Sequence, residues 1–252
     1  MNTEPGSGDS GQSPVLGDSG LQSQTLEDIS SAVRYHSWLT DLALPYLGDD
    51  PLELGSGLGD YAQTWLDHGV PRMTVTDLDP TRLGVLRKRF GDDPRVTVRL
   101  LDVGAGDLPP RDADAHSSMV AFNVLEHIPQ DVEALRAAHR LVRPGGAVVM
   151  FVPAFPFAMS DFDRAVGHVR RYTKTSLSRT FVAAGLELED IRYVNIPGLA
   201  AWTVGMKWLR MTPGDGPLLR VWDGAVVPTT RAIENRLRAP FGQSVFAIAR
   251  VP

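Results

Sequence analysis

Three acids and a run of glycines carry the chemistry most visible in this sequence. Glu53-Leu54-Gly55-Ser56-Gly57-Leu58-Gly59 follows a short apolar run that starts at Pro51. It leads into a stretch with Tyr61, Ala62, Trp65 and Leu66 on one helical face. Glycines between a strand and a helix let the backbone turn tightly and approach a ligand where a Cβ would collide. The same turn presents the N–H groups of the helix start. Asp77 closes the next apolar run, Met73 to Thr76. An acid about 20 residues past such a turn can accept both hydroxyls of a ribose. Asp102 closes a third run, Val96 to Leu101, and is placed to meet an adenine amino group, with Leu78 and Val103 as apolar partners for the ring.

Two features separate this pattern from a pyrophosphate-binding turn of a nicotinamide- or flavin-dependent oxidoreductase. The glycines run G-x-G-x-G, not G-x-G-x-x-G, and Glu53 stands two residues before the first of them. A carboxylate there repels a pyrophosphate but suits the amino group of a methionine-type ligand. The pattern therefore favours S-adenosylmethionine. Glu53 and Asp102 have a plainer alternative as caps of strands or helices. Asp79, just before Pro80, reads as a helix N-cap. Glu126 and His127 read as the beginning of the helix that follows them and are not assigned to catalysis.

The elements that position these residues alternate. Runs at 51–54, 73–76, 96–101, 118–122 and 147–152 read as strands, with helical periodicity between them, including one helix from about Pro129 to Val142. Arg143-Pro144-Gly145-Gly146 reads as a tight turn. Such alternation predicts an α/β fold with a doubly wound, mostly parallel sheet and right-handed crossovers. Further on, 175–184 reads as a helix, and 188–194 and 244–249 as strands. Residues 1–23, mostly Gly, Ser, Asp, Gln and Pro, predict a disordered tail. Residues 24–252 then form one domain, with N-terminal helices, a core at about 50–152, and insertions at about 153–173 and 197–242.

The residues Leu52 to Gly59, Val75-Thr76-Asp77-Leu78-Asp79, Leu101-Asp102-Val103, Asn123-Val124-Leu125-Glu126-His127-Ile128 and Leu141-Val142-Arg143-Pro144-Gly145-Gly146 resemble successive motifs of class I S-adenosylmethionine-dependent methyltransferases. The resemblance covers roughly residues 50–152. It implies a Rossmann-like seven-stranded sheet with one antiparallel strand and the cofactor at the carboxyl ends of the central strands. It also implies that Glu53 binds the cofactor's amino end, Asp77 the ribose, and Asp102 with Val103 the adenine, and that Asn123 lies beside the methionine part. Gly55, Ser56, Gly57, Gly59 and Leu78 complete the expected cofactor set.

The acceptor side falls on the segments after the fourth and fifth strands. Gly167-His168-Val169-Arg170-Arg171-Tyr172-Thr173 resembles a stretch found in a small-molecule, specialised-metabolite subset of these enzymes. Histidine is the side chain suited to proton transfer near neutral pH, so His168 could take a proton from an acceptor; Tyr172 could hydrogen-bond it, and Arg170 and Arg171 could hold an anionic or carbonyl group. The alternative is a structural clamp, with Arg170 or Arg171 paired to Asp161 or Asp163. Phe155, Phe157, Met159 and Trp202 read as an apolar acceptor pocket under a helical lid, and Tyr35 as a residue of an N-terminal helix closing over the cofactor.

Absences narrow the acceptor. No Asn/Asp-Pro-Pro-Tyr/Phe motif is present, and without cysteine the chain has no thiolate nucleophile and no cysteine-bound zinc. Asp161 and Asp163 offer two metal-ligating acids but no evident third ligand, so no metal is expected. A net charge of −5 offers no basic surface for nucleic acid. No secretory leader and no membrane-spanning run is evident, so a cytoplasmic enzyme, monomeric or homodimeric, is expected. The expected acceptor is a small, partly apolar, aromatic molecule, with an indole among the compounds that would fit. An NAD(P)-dependent oxidoreductase on a related fold and a non-catalytic methyltransferase-like partner protein are the competing expectations.

Overall fold

The computed structural model describes residues 17–18, 20–22, 32–104, 115–208 and 217–252. Its strands are β1 (Pro51–Glu53), β2 (Met73–Asp77), β3 (Val96–Leu100), β4 (His116–Phe122), β5 (Val142–Pro153), β6 (Glu187–Val194) and β7 (Ser244–Arg250). They form one seven-stranded sheet in the order β3-β2-β1-β4-β5-β7-β6. β1 to β5 pair in parallel, while β7 runs antiparallel to both neighbours, β5 and β6. The antiparallel strand of the expectation is therefore β7, next to the edge strand β6.

The helices are α1 (Val33–Leu47), α2 (Asp60–Asp67), α3 (Pro80–Phe90), α4 (Asp131–Arg136), α5 (Ala138–Leu141), α6 (Asp161–Ala165), α7 (Lys174–Ala183), α8 (Ile196–Trp202), α9 (Pro217–Val221) and α10 (Val227–Glu234). They cover both faces of the sheet, which is why β1, β2 and most of β4 and β5 are buried along their length and read as continuous apolar runs. Strand alternation divides the interior in two. Val149 and Phe151 of β5 face a core with Trp38, Trp65, Leu83 and Phe90, while Val148, Met150 and Val152 face another with Leu135, Tyr172 and Phe181. The strand order reverses between β1 and β4, and the crevice beyond their carboxyl ends is where ligands bind in open α/β sheets.

Two boundaries differ from expectation. The helix expected over 129–142 is two short helices, α4 and α5, and β5 begins at Val142. Most of the tail expected to be disordered lies outside the described residues. Within it, Asp18 N–H donates to the Ala165 carbonyl (2.9 Å) and the Gln22 amide to the Val166 carbonyl (2.6 Å), so this part is docked at the end of α6. No described helix is long and apolar enough to cross a membrane.

Candidate functional site

The glycine turn lies directly after β1. Gly55, Gly57 and Gly59 all have positive φ (67°, 57° and 83°), a region L side chains rarely adopt. A Cβ on Gly55 would come within 2.7 Å of Val124, and one on Gly59 within 2.5 Å of the Phe90 ring. Ser56 fastens the turn to β2, donating its N–H to the Thr76 carbonyl and accepting from Thr76 N–H at Oγ. Asp77 accepts from Gly57 N–H (3.1 Å) and Asp79 N–H (2.9 Å), and Arg82 Nε stands 3.3 Å from its Oδ1. Asp79 accepts from Thr81 N–H at 2.7 Å and caps α3, as its place before Pro80 predicted.

Glu53 is buried at the end of β1, and its Oε2 has no hydrogen-bond partner. Burial pushes its carboxyl up to about 8; the charges of Asp60 and Asp77 add to this, against a Ser56 hydrogen bond and Arg89. A buried carboxyl with one oxygen left without a partner beside a glycine cradle is a site for a ligand ammonium, so these residues fit an amino acid joined to a nucleoside. Asp102 holds its own turn by accepting from Gly104 N–H (2.8 Å), Val103 is buried in the core and Leu78 is half-buried. Asn123 follows β4, exposed and in the left-handed region at φ 53°. The expected cofactor residues thus cluster around the carboxyl ends of β1, β2, β3 and β4.

The loop after β5 builds a second, buried cluster. Asp163 accepts at Oδ2 from Ser160 N–H and Oγ–H, which closes a capping box on α6. At Oδ1 it accepts from Arg171 (Nη2 at 2.7 Å, Nε at 3.0 Å) and His168 Nδ1 (2.8 Å). Burial alone would raise the Asp163 carboxyl, but the His168 hydrogen bond and the Arg171 charge hold it down at about 2. An ionised Asp163 makes Nδ1 the protonated nitrogen of His168, which leaves Nε2 as an acceptor, 3.8 Å from Glu126 Oε1.

Glu126 is fully buried in the 3₁₀ turn Leu125–His127 after β4, and neither of its carboxyl oxygens has a hydrogen-bond partner. Burial pushes it up to about 7. The His127 ring stands edge-on to His168 at 4.7 Å; burial, then the electrostatic influence of His168 beside it, push it down to about 3. Glu126 and His127 do not begin the next helix, which starts at Asp131. They were missed because an acid ahead of a helix is an ordinary first-turn residue; their place just past β4 was the available signal.

Several acceptor-side expectations need correcting. The Tyr172 hydroxyl donates to Asp131 (2.9 Å) from a buried position, and Arg170 binds the Pro129 carbonyl and Asp131, so both secure the start of α4. Arg171 clamps Asp163 and the Ala154 carbonyl beneath the Trp202 ring (4.7 Å), which is the structural clamp foreseen above. Asp161 pairs with Arg164. Phe155 stacks on Tyr193 at 4.8 Å, Phe157 is exposed beside it and Met159 is half-buried. Trp202 donates to the Ala158 carbonyl (3.2 Å) and ties α8 to this loop. The Tyr35 hydroxyl is engaged by Asn195 and Ser244 beside β7, and burial pushes it up to about 12. Its ring is thereby directed to β7 and α8. His36, the next residue, stacks on Tyr61 of α2 at 4.4 Å, close behind the glycine turn.

The two clusters are joined. The Gln22 side chain accepts from Arg82, which pairs with Asp77, and donates to the Val166 carbonyl two residues before His168.

Residues 52–148 match the family model of a methyltransferase domain. That segment is a methyltransferase domain, and the sheet that contains it has the fold of class I methyltransferases. A probable S-adenosylmethionine-dependent methyltransferase of Mycolicibacterium smegmatis is 28% identical over 57% of this chain and 54% of that protein. Over 176 residues the chain is 26% identical to a ubiquinone biosynthesis O-methyltransferase of Aeromonas salmonicida, covering 65% of this chain and 73% of that protein. The matches to the mycobacterial relatives that come next span about half of their length. An S-adenosylmethionine-dependent methyltransferase of Mesorhizobium loti shares the fold with a TM-score of 0.57 at 16% identity, over 84% of this chain and 95% of that one. The [4+2]-cyclase SpnF does so equally well, with a TM-score of 0.57 at 18% identity over 95% and 99%. The fold of this methyltransferase therefore does not fix its reaction, which has to be argued from the site.

Proposed function

We propose that this methyltransferase transfers a methyl group to a small, partly apolar acceptor, aromatic and of the specialised-metabolite kind, held between the turn after β4 and the 153–173 loop. The carrying observation is the Asp163–His168–Glu126 cluster, joined through Gln22 and Arg82 to Asp77 beside the glycine turn. When bound, S-adenosylmethionine supplies a sulfonium methyl that a nucleophile displaces in line.

The chain's own residues then have these roles. The Gly55 to Gly59 cradle, Glu53, Asp77, Asp102 and Asn123 hold and orient the cofactor, with Glu53 meeting its ammonium. Asp163 keeps His168 in one tautomer, so that Nε2 receives a proton from an acceptor hydroxyl, amine or carbon acid. Phe155, Phe157, Met159 and Trp202 wall the acceptor away from water. Tyr172, Arg170 and Arg171 support this wall from behind. Residues 24–252 act as one unit, with the two insertions closing the acceptor side.

The test is mass spectrometry of a panel of aromatic hydroxyl, amine and indole compounds incubated with the enzyme and methyl-labelled cofactor. A labelled aromatic product supports the proposal. Label in none of them, from an enzyme shown to bind S-adenosylhomocysteine, overturns the acceptor class.

A further inference from the structure

Glu126, His127 and His168 each offer one ligand atom, and these atoms all lie within 4.8 Å of one another. We infer that they form a binding site for one divalent transition-metal ion, with Asp163 as the residue that orients His168.

Four observations lead there. Glu126 is fully buried, and neither of its oxygens finds a hydrogen-bond partner. Buried polar atoms are nearly always satisfied, so two orphaned oxygens on one carboxyl mark a place where a cation or its water belongs. Second, His127 Nδ1 is also buried without a partner. Third, Asp163 Oδ1 takes the Nδ1 proton of His168 at 2.8 Å. A carboxylate on the far nitrogen of a metal-binding histidine fixes its tautomer and raises its basicity. Fourth, the arms come from two separate segments, the turn after β4 and the loop after β5, and Val169 N–H donates to the Glu126 carbonyl at 2.9 Å to hold them together. A plain buried ion pair would need only one carboxylate beside His168, and Asp163 already fills that place.

Two imidazoles and one carboxylate suit Zn²⁺, Fe²⁺, Mn²⁺ or Ni²⁺ better than Mg²⁺ or Ca²⁺, which prefer an all-oxygen shell. A tetrahedral ion with bonds of about 2.1 Å draws its ligands to roughly 3.4 Å apart, so side-chain shifts below about 1 Å close the site. Three protein ligands leave a position open, and an acceptor oxygen or nitrogen fits it. That last step rests on the acceptor placement proposed above; metal binding itself does not. With the ion bound, His168 Nε2 is a ligand, and its proton-accepting role belongs to the metal-free chain.

The experiment uses the full chain, stripped with a chelator and titrated with ZnCl₂ at pH 7.5 by calorimetry. S-adenosylhomocysteine binding is measured on the same samples. One Zn²⁺ per chain is expected. His127→Ala and Glu126→Gln should each weaken it roughly tenfold or more, and Asp163→Asn roughly ten- to a hundredfold. Co²⁺ loaded into the unaltered chain should give two paramagnetically shifted imidazole N–H resonances, a readout that needs no variant to fold. Absence of stoichiometric Zn²⁺ binding overturns the inference. So does binding that is unchanged in His127→Ala and Glu126→Gln, or a Co²⁺ form without shifted imidazole protons. Zn²⁺ binding without S-adenosylhomocysteine binding would instead count against the cofactor assignment.

Discussion

Asp163 Oδ1 and His168 Nδ1 meet at 2.8 Å, five residues apart, and the same oxygen carries both nitrogens of the Arg171 fork. The loop after β5 is thus folded around one carboxylate. Replacing Asp163 by Asn leaves the buried Arg171 without its counter-charge, a change that costs about 3–5 kcal/mol where a buried pair is broken. Denaturant unfolding at pH 7 should show a loss of that order, and a loss below about 1 kcal/mol would show that Arg171 finds another partner.

The same carboxylate predicts an acid transition. Its value is depressed to about 2 from an ordinary 3.8. The stability it contributes is therefore complete above the unfolded value and is lost as pH falls from about 4 through 2, roughly 2 kcal/mol in all. Unfolding free energies measured across that window should fall for the native protein and fall less for Asp163→Asn.

Glu53 predicts the opposite sign. Its raised value of about 8 means that the ligand-free protein prefers it protonated, so stability declines as pH rises from the ordinary carboxylate range toward 8. A cofactor ammonium favours the ionised form, so binding S-adenosylhomocysteine near pH 7 should release close to one proton. Calorimetry in buffers of different ionisation enthalpy reads this directly. Glu53→Gln should abolish the release and weaken binding. Unchanged release would move the ammonium elsewhere.

Asp77→Ala should weaken S-adenosylhomocysteine binding by about 1.5–3 kcal/mol, the worth of hydrogen bonds to a charged group, because the ribose hydroxyls lose their acceptor. Arg82→Ala frees one side of the same carboxylate and should change affinity far less. Equal losses in both variants would mean that Arg82, not Asp77, meets the ligand.

Asp223 accepts from Arg34 N–H (3.0 Å) and Tyr35 N–H (2.8 Å) and caps α1 from 189 residues away. Asp223→Ala should destabilise the fold by about 1 kcal/mol and fray the first turn of α1. Hydrogen exchange at Arg34 to His36 would report it, and protection equal to that of the native protein would show the cap to be redundant.

Legibility in the sequence follows the range of each interaction. The strands showed because burial on both faces makes an unbroken apolar run, as in Val148 to Val152. The Asp79 cap showed because its partner, Thr81, is two residues away. The acids Glu53, Asp77 and Asp102 were legible because Glu53 and Asp77 end β1 and β2 and Asp102 follows β3 by two residues, and strand ends are read from local pattern. The Asp223 cap was not, since nothing near it announces α1. Tyr172 misled because a tyrosine carries no sign of whether its hydroxyl faces a ligand or a buried acid such as Asp131. Glu126 and His127 misled for a related reason: only the loop holding His168, some 40 residues later, turns them from helix-start residues into members of a cluster.

The placement of β7 has a consequence for how the chain comes together. The strand that is last in chain order is a wedge between two that precede it, and β5 and β6 share no pairing without it. During synthesis, β1 to β5 can assemble as they emerge, but β6 must wait with both edges bare until residues 244–250 leave the ribosome. The loop that holds Asp163 and His168 connects to that waiting half. That half of the sheet is therefore the last to be completed, and a chain stopped just short of Ser244 would carry a complete glycine turn beside an unpaired β6.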